Sequence, residues 1–460
     1  MKIVLLSGGS GKRLWPLSNT IRSKQFLKML PNEVGGYESM LQRVYRQLVN
    51  LGYERNIIVC ANVFQYDYIR NQIGEEVSVI QEPFKRDTYP AILLSAAYLY
   101  SIEQIEEDET VVFLPVDSFV EQFFYQIIEQ FDNTFIKLKE KYLLVGIKPT
   151  VPSSKYGYLL PDEGYETITQ IKKFIEKPSR KVARQLIEEG ALWNSGIFAC
   201  KLRTILDYMG ERNVPLDYES IFKDFEAFPK TSWEYEVFEN EKSMAMISSN
   251  ESWKDIGAWD TLTQVLTYET AGEIAGYLQN KNTHVINELS IPIAVVGVEN
   301  IIIAASDDGI LVCSKKEASK VKEAISGADK RPRIEERHWG YYKILDYHKI
   351  GDAREVLTKK MIISEGKNLS YHYHLKRQEV WTIVRGIGIF IYNGKITRVE
   401  TGDVLKIPNE SLHTIKAIEE LEIIEVQIGE IVTEKDIVRL ANSWDEILEV
   451  LNTNVLRRTF

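Results

Sequence analysis

Two groups of residues in this 460-residue chain have the types and spacing that chemistry requires. The first follows an apolar run at the N-terminus. Lys2–Leu6 reads as a strand and runs into Ser7-Gly8-Gly9-Ser10-Gly11, with Lys12 and Arg13 next and Lys24-Gln25 a little later. Glycines let backbone amides approach phosphate oxygens with no Cβ in the way. An arginine can add two parallel hydrogen bonds to one phosphate. This combination predicts a phosphate cradle. It is neither of two familiar ones. The pattern G-x-x-x-x-G-K-[ST] fails because Arg13 follows Gly11-Lys12 and the first required glycine is Leu6, and G-x-G-x-x-G fails at Leu14.

The second group lies in the last third of the chain. His372-x-His374 is followed after four residues by Glu379, and His413 comes later; Gly366, Gly386, Gly402 and Pro408 punctuate the stretch. Three of the six histidines fall here. Residues two apart on a strand share a face, so His372 and His374 point the same way. A turn through Lys376–Gln378 can bring Glu379 to that face, and His413 would arrive from another strand pair. Imidazoles with a carboxylate suit a divalent transition metal such as Zn, Mn, Fe or Ni.

Composition narrows the classes. The net charge of −10 argues against a nucleic-acid binder, which presents a basic face. Cys60, Cys200 and Cys313 are too far apart for a metal motif or a disulfide framework and read as buried thiols in a reducing compartment. The N-terminal apolar run is too short for a signal peptide, and no stretch approaches a membrane span. The expectation is a cytoplasmic protein without membrane partners.

The elements that must position these residues follow from patterning. Through the first 260 residues strand-like runs (57–61, 110–116) alternate with runs of helical spacing (41–52, 90–105). This predicts an α/β, Rossmann-like fold with a mostly parallel sheet, whose ligand lies beyond the carboxyl ends of the strands. Gly8–Arg13 and Asp117 both sit just past a strand end. Short β-like runs at 291–298, 300–306 and 309–314 precede a helical stretch at 316–327. After Lys330-Arg331-Pro332-Arg333 the alternation is all-β to about residue 430, and 434–453 reads as an amphipathic helix. The expected domains are 1–262, a connecting β-rich segment 263–330, and 331–460.

The string L-S-G-G-x-G-x-R-L-x-P-L resembles the sugar-1-phosphate nucleotidylyltransferase family, and the resemblance continues down the chain. QEPFKRDTYPAI (81–92), FLPVDSFV (113–120), KYGYL (155–159), FIEKP (174–178), WNSGIF (193–198) and SWKDIGAWDTL (252–262) resemble its further motifs in order. Their order and spacing are those of the mannose-1-phosphate guanylyltransferase branch, a GT-A-like fold. The resemblance implies Mg²⁺-dependent attack of mannose 1-phosphate on the α-phosphorus of GTP. Arg13 and Lys24 would act on the leaving phosphates. Ser7, Gly8, Gly9, Gly11, Glu82 and Arg86 would bind nucleotide. Gly157, Glu176, Lys177 and Asn194 would bind the sugar phosphate, and Asp117 and Asp255 the Mg²⁺. Two positions depart from the family: Asp87 stands for Asn, and Ser118 for the His after the metal aspartate. Asp87 leaves the nucleotide choice open, including UTP or dTTP with glucose 1-phosphate. A non-catalytic nucleotide-sugar sensor is a further alternative.

Gly366 to His413 resembles the paired motifs of the cupin family, a β-barrel (jelly roll), with Glu410 at a usual glycine. His372, His374, Glu379 and His413 would be its metal ligands. The combination resembles the bifunctional phosphomannose isomerase/GDP-mannose pyrophosphorylase proteins, and IEERHWGYYKIL (334–345) resembles the start of their second domain. Against that family His372 stands for Gln, while Leu375, Lys376 and Val380 stand for histidines. Three readings of this half stay open: an isomerase, a dimerisation domain of a homo-oligomer, and a regulatory sugar-phosphate binder.

Overall fold

The computed structural model describes residues 1–458 except Ser10, 163–167, 327–330 and Asp352, with side chains described to Asn452. Lys330, at the expected domain junction, therefore lies outside the described residues. The chain divides into two compact units, Met1–Asp329 and Lys330–Phe460.

The first unit is built on a nine-stranded sheet. Its strands, with two short ones beside it, are β1 (Lys2–Leu6), β2 (Ile57–Asn62), β3 (Ser78–Glu82), β4 (Thr110–Pro115), β5 (Ser118–Val120), β6 (Tyr142–Ile147), β7 (Tyr158–Pro161), β8 (Ile168–Ile175), β9 (Leu192–Lys201), β10 (Met244–Ser249) and β11 (Trp253–Asp255). The sheet order is β3-β2-β1-β4-β9-β6-β10-β8-β7, with β5 and β11 paired separately. The expected mostly parallel sheet is in fact mixed. β3, β2, β1 and β4 are mutually parallel, as are β6 and β10. β9 runs antiparallel to β4, β6 and β7, and β8 antiparallel to β10 and β7. Both kinds of strand are buried on two faces here, so their apolar runs do not reveal direction. The parallel half carries the glycine loop that follows β1: the ends of β1, β3 and β4 lie along one edge.

Helix α1 (Met40–Val49) starts at a capping box, Ser39 Oγ accepting from Gln42 N while Gln42 Oε1 accepts from Ser39 N. Helix α2 (Thr88–Ser101) is apolar all round and packs in the core with Ile92, Leu93, Leu94 and Ala96 fully buried. Among the described residues no helix is long and apolar enough to cross a membrane.

Residues 270–314 form six short strands: β12 (Thr270–Gly272), β13 (Ile274–Leu278), β14 (His284–Asn287), β15 (Ile293–Val296), β16 (Ile301–Ser306) and β17 (Gly309–Ser314). β12, β14 and β16 stack in parallel, β17 closes that sheet, and β13 and β15 form a second parallel pair. This segment belongs to the first unit and shares a core with Leu14, Leu17 and Trp259. The helix expected at 316–327 is a 3₁₀ turn (Lys315–Lys320) followed by one short α turn (Val321–Ala324).

The second unit is a sandwich of two antiparallel sheets. Its strands are β18 (Ile334–Arg337), β19 (Gly340–Ile350), β20 (Arg354–Ile363), β21 (Tyr371–Tyr373), β22 (Arg377–Arg385), β23 (Ile387–Tyr392), β24 (Lys395–Glu400), β25 (Val404–Ile407), β26 (His413–Ala417), β27 (Leu421–Gly429) and β28 (Val438–Ala441). The sheets run β18-β19-β20-β27-β22-β25 and β24-β23-β26-β21-β28. The helix expected at 434–453 is shorter at its start. Val438–Ala441 is strand β28, paired with β21, and helix α3 begins at Trp444. Ser443 starts it, its Oγ accepting from Glu446 N while Glu446 Oε2 accepts from Asn442 N.

Candidate functional site

At the edge of the parallel half, Ser7 is tied by its backbone N–H to the Cys60 carbonyl and Gln25 donates to the Ser7 carbonyl. Gly8 packs against Glu82 from the end of β3: a Cβ there would sit 2.6 Å from Glu82 Oε1. Glu82 is buried, and burial raises its carboxyl pKa to about 7. Ser23 Oγ donates to the Gly9 carbonyl at 3.0 Å and accepts from Gln65. Ser18 donates to the Gly11 carbonyl, and Gly11 needs its positive φ of 63°. Arg86 stands 3.8 Å from Glu226. Asp87 is exposed and caps α2, its Oδ1 accepting from Thr88 N at 2.9 Å. That capping role is one Asp and Asn fill equally well.

Asp117 and Asp255 arrive from the ends of β4 and β11. β11 pairs with β5 so that Asp255 lies opposite Ser118, and Ile256 N donates to the Asp117 carbonyl. Lys24 Nζ meets Asp117 Oδ2 at 2.7 Å. Burial raises the Asp117 carboxyl, but the Lys24 ammonium outweighs it and holds the group below the usual range. Asp255 Oδ1 accepts from Gly257 N at 2.8 Å, and burial and then the Asp117 charge push its carboxyl up against the weaker pull of Lys24 and Arg13. Two carboxylates that repel in one place are a donor set for a hard cation, and oxygen ligands of this kind suit Mg²⁺.

Gly257 marks where these groups meet. A Cβ on it would lie 2.7 Å from Asp255 Oδ1, 2.8 Å from Lys24 Nζ and 3.5 Å from Arg13 Nη1. The sequence reading did not single out Gly257. Its signal was the glycine of the motif that supplied Asp255. Ser118, in place of His, accepts from Trp253 Nε1 at 3.1 Å. Trp253, Tyr156 and Trp193 form an aromatic cluster with ring centroids 4.9 to 6.5 Å apart. It ties β11 to the segments that carry Gly157 and Asn194.

Those segments converge as well. Asn194 N donates to the Gly157 carbonyl at 2.8 Å. A Cβ on Gly157 would sit 2.5 Å from Glu176 Oε2 and 3.3 Å from Asn194 Cβ. Glu176 Oε2 is buried with no hydrogen-bond partner among the described residues, while Oε1 accepts from Lys177 Nζ at 2.6 Å. An unpaired buried carboxylate oxygen is costly and is suited to a ligand hydroxyl. Lys177 is exposed, with φ 45°, 5.5 Å above the Tyr235 ring.

In the second unit, His372 (β21) faces His413 (β26) across the sheet, and His374 follows β21. The three offer ring nitrogens within 4.8 Å of one another. Each Nδ1 faces a backbone carbonyl: Ser370 at 2.7 Å, Asp436 at 2.7 Å and Ser411 at 2.9 Å. That puts the proton on Nδ1 and leaves Nε2 as the ligating atom. Glu379 reaches the group from β22, 3.0 Å from His374 Nε2 and 3.5 Å from His413 Nε2. His413 Nε2 has no hydrogen-bond partner among the described residues. Three imidazoles and a carboxylate gathered in this way are a donor set that fits a divalent transition metal. The carboxylate is held by Arg377 Nε and Gln427 Nε2 at 3.0 Å and by Trp381 Nε1 at 3.1 Å. Of these holders Gln427 carried no signal in the sequence, because its role depends on its register opposite Glu379.

The glycine loop after β1, the Asp117–Asp255 pair and the Gly157–Glu176–Asn194 group all lie within residues 2–271, which match the Nucleotidyl transferase family. The chain belongs to the nucleotidyl transferase family. In this nucleotidyl transferase, residues 281–326 match the MannoseP isomerase/GMP-like beta-helix domain and 329–442 match Mannose-6-phosphate isomerase C-terminal. The "Mannose-1-phosphate guanylyltransferase" of Salmonella muenchen is 29% identical over 95% of this chain and 97% of the relative. The "Alginate biosynthesis protein AlgA" of Pseudomonas putida is 27% identical over 96% of each chain. Among solved structures, "mannose-1-phosphate geranyltransferase" from Thermus thermophilus superposes with a TM-score of 0.60 at 26% identity, covering 72% of this chain and 99% of that one.

Proposed function

We propose that the first unit transfers a guanylyl group from GTP to mannose 1-phosphate, giving GDP-mannose and pyrophosphate. The observation that carries this reading is the convergence of Arg13, Lys24, Asp117 and Asp255 around Gly257. The name of the relative from Salmonella muenchen supports the substrate pair. A phosphate oxygen of the sugar phosphate attacks the α-phosphorus, and the bond to the β-phosphate breaks. Such chemistry needs positioning and countercharge rather than a covalent nucleophile. Arg13 and the amides of Gly8, Gly9 and Gly11 hold the triphosphate. Lys24 moves from Asp117 toward the leaving phosphates. Glu176 and Asn194 orient the hexose, and Lys177 holds its phosphate. Asp117 and Asp255 would hold Mg²⁺, which supplies countercharge on the phosphates when bound. Pyrophosphate release across GTP, UTP, ATP, CTP and dTTP with mannose 1-phosphate and glucose 1-phosphate tests the assignment. A preference for another pair, or no release at all, would overturn it.

Glu82 would read the base. Guanine presents adjacent N1–H and N2–H donors, and an ionised carboxylate accepts both. With a pKa near 7, Glu82 gains that form as pH rises through neutrality. The KM for GTP should therefore fall between pH 6 and pH 8, and Glu82→Gln should remove the pH dependence and raise the KM. A pH-independent KM in the unaltered protein counts against the role.

Gly157→Ala should act on the sugar alone. Its Cβ would press on Glu176 Oε2 at 2.5 Å. The KM for mannose 1-phosphate should rise roughly tenfold or more, in line with the sensitivity of reacting groups to small misplacements. The KM for GTP should stay unchanged, which steady-state kinetics with each substrate varied would check.

The second unit would hold a divalent transition metal through His372, His374 and His413, with Glu379 beside them. Metal content measured on purified protein, before and after chelation, tests this. Binding that persists in His374→Ala and His413→Ala variants would refute it.

A further inference from the structure

We infer that the β-helical segment His284–Ser314 acts as a brace for the phosphate loop, which makes Asp308, Ser306 and Gly309 positioning residues for nucleotidyl transfer. The inference rests on the proposed guanylyl transfer for its kinetic readout only. It concerns residues 15–22, which connect Arg13 to Lys24.

The contacts form a chain from segment to loop. Ser306 Oγ donates to the Pro16 carbonyl at 2.7 Å and accepts from Asp308 N at 3.2 Å. Gly309 lies flat against Trp15: a Cβ on it would run into the indole ring, and its φ of 153° favours glycine. Asn19 Nδ2 donates to Asp308 Oδ2 at 2.8 Å. Arg22 pairs with Glu288 through two hydrogen bonds of 2.7 and 2.9 Å. Four separate points of the segment thus grip residues 15–22.

Those residues in turn shape the glycine loop. Asn19 Oδ1 accepts from Ile21 N and Arg22 N at 2.9 and 2.7 Å, which fixes the turn. The Asn19 carbonyl lies 2.5 Å from where a Cβ of Gly11 would be. Ser18 donates to the Gly11 carbonyl and Ser23 to the Gly9 carbonyl. Trp259, from the end of the first domain, adds a bond from Nε1 to the Trp15 carbonyl at 3.1 Å. On the far side Lys85 donates to the Thr20 carbonyl at 2.6 Å. Part of the support of the glycine loop therefore comes, through residues 15–22, from a segment that supplies no residue of its own to the site described above. Loss of one grip should misplace the triphosphate and leave the sugar pocket untouched, because Gly157, Glu176 and Asn194 belong to other strands.

The test uses the full chain with Asp308→Ala, Asn19→Asp, Asp308→Asn and the exchanged pair Asn19→Asp/Asp308→Asn. Asn19→Asp sets two carboxylates face to face, and the exchanged pair restores a donor and an acceptor. Pyrophosphate release should show kcat/KM for GTP lowered about 10- to 100-fold in Asp308→Ala and Asn19→Asp, the scale expected of a misplacement near 1 Å. The KM for mannose 1-phosphate should change less than about twofold, and the exchanged pair should recover most of the loss. Equal loss for both substrates, or no recovery, would reduce the segment to a general stabiliser and overturn the inference. Hydrogen exchange of amides 8–24 gives a readout that needs no activity. It should quicken in Asp308→Ala and Asn19→Asp and return in the exchanged pair. Unchanged exchange would overturn the brace even if the unaltered protein transfers a nucleotide. Conversely, absent transfer with altered exchange would refute the substrate assignment and leave the brace standing.

Discussion

Asp117→Ala and Asp255→Ala should each lower Mg²⁺-dependent pyrophosphate release about a thousandfold or more, with the folded state retained. The size follows from what these carboxylates do. Removing one preorganised group that stabilises transition-state charge costs about 10²–10³ in rate, and losing a metal ligand adds the countercharge the metal supplies. The two variants should differ in stability. Asp117 accepts from Lys24 at 2.7 Å, so its removal leaves an ammonium that is nearly buried without that partner. Asp255 carries a pKa raised by burial and by Asp117, so its removal relieves repulsion. Asp117→Ala should thus lower the unfolding midpoint, and Asp255→Ala should leave it equal or higher. Rates across a Mg²⁺ titration, with calorimetry on the same samples, would check both points. A near-normal rate at low Mg²⁺ in either variant would refute the metal assignment.

Glu379→Ala should lower the unfolding midpoint of the second unit by roughly 10–20 °C. The carboxylate is fully enclosed and accepts from Arg377, Gln427 and Trp381 while facing His374 and His413. Removing one partner of a buried ion pair costs about 3–5 kcal/mol, because the other charge stays buried and uncompensated. Each kcal/mol moves the midpoint of a domain of this size by a few degrees. Arg377 Nη1 keeps the Thr433 carbonyl at 2.5 Å, which satisfies that proton but not the charge. Glu379→Gln tests the electrostatic part: it keeps the shape and one acceptor, and should fall between the unaltered protein and the alanine variant. Scanning calorimetry would resolve these midpoints. A change under about 2 °C for Glu379→Ala would show that Arg377 finds other compensation.

Much of the candidate site could be read from the chain before its fold. Ser7, Gly8, Gly9 and Gly11 beside Arg13 signal a phosphate loop because the need for close backbone approach is local. His372 and His374 signal a metal for the same reason: two residues apart on a strand, they share a face whatever the rest of the chain does. Asp87 and Ser118 were harder, since their types conflict with the family pattern. The structure gives each a contact: Asp87 caps α2, a role Asn fills equally well, and Ser118 accepts from Trp253. The expectation of a mostly parallel sheet did not extend to the mixed half because strands such as 142–147 and 192–201 are buried on both faces and carry no sign of direction, and Val438–Ala441 read as helix because four residues carry too little periodicity to oppose the helical stretch after them.

The sequence by itself determined the chemistry each segment could offer: a phosphate loop, carboxylates at strand ends, imidazoles on one strand face. These depend on residue type and short spacing, which the chain carries locally. Tertiary structure alone decided which groups share a charge and which shape one another. Lys24 meets Asp117 93 residues away, Asp308 grips Asn19 across 289, and Gly257 is hemmed in by both Asp255 and Lys24. Such pairings follow from the register of strands and the packing of whole layers. No local pattern encodes them, because their energies arise only once distant segments are buried together.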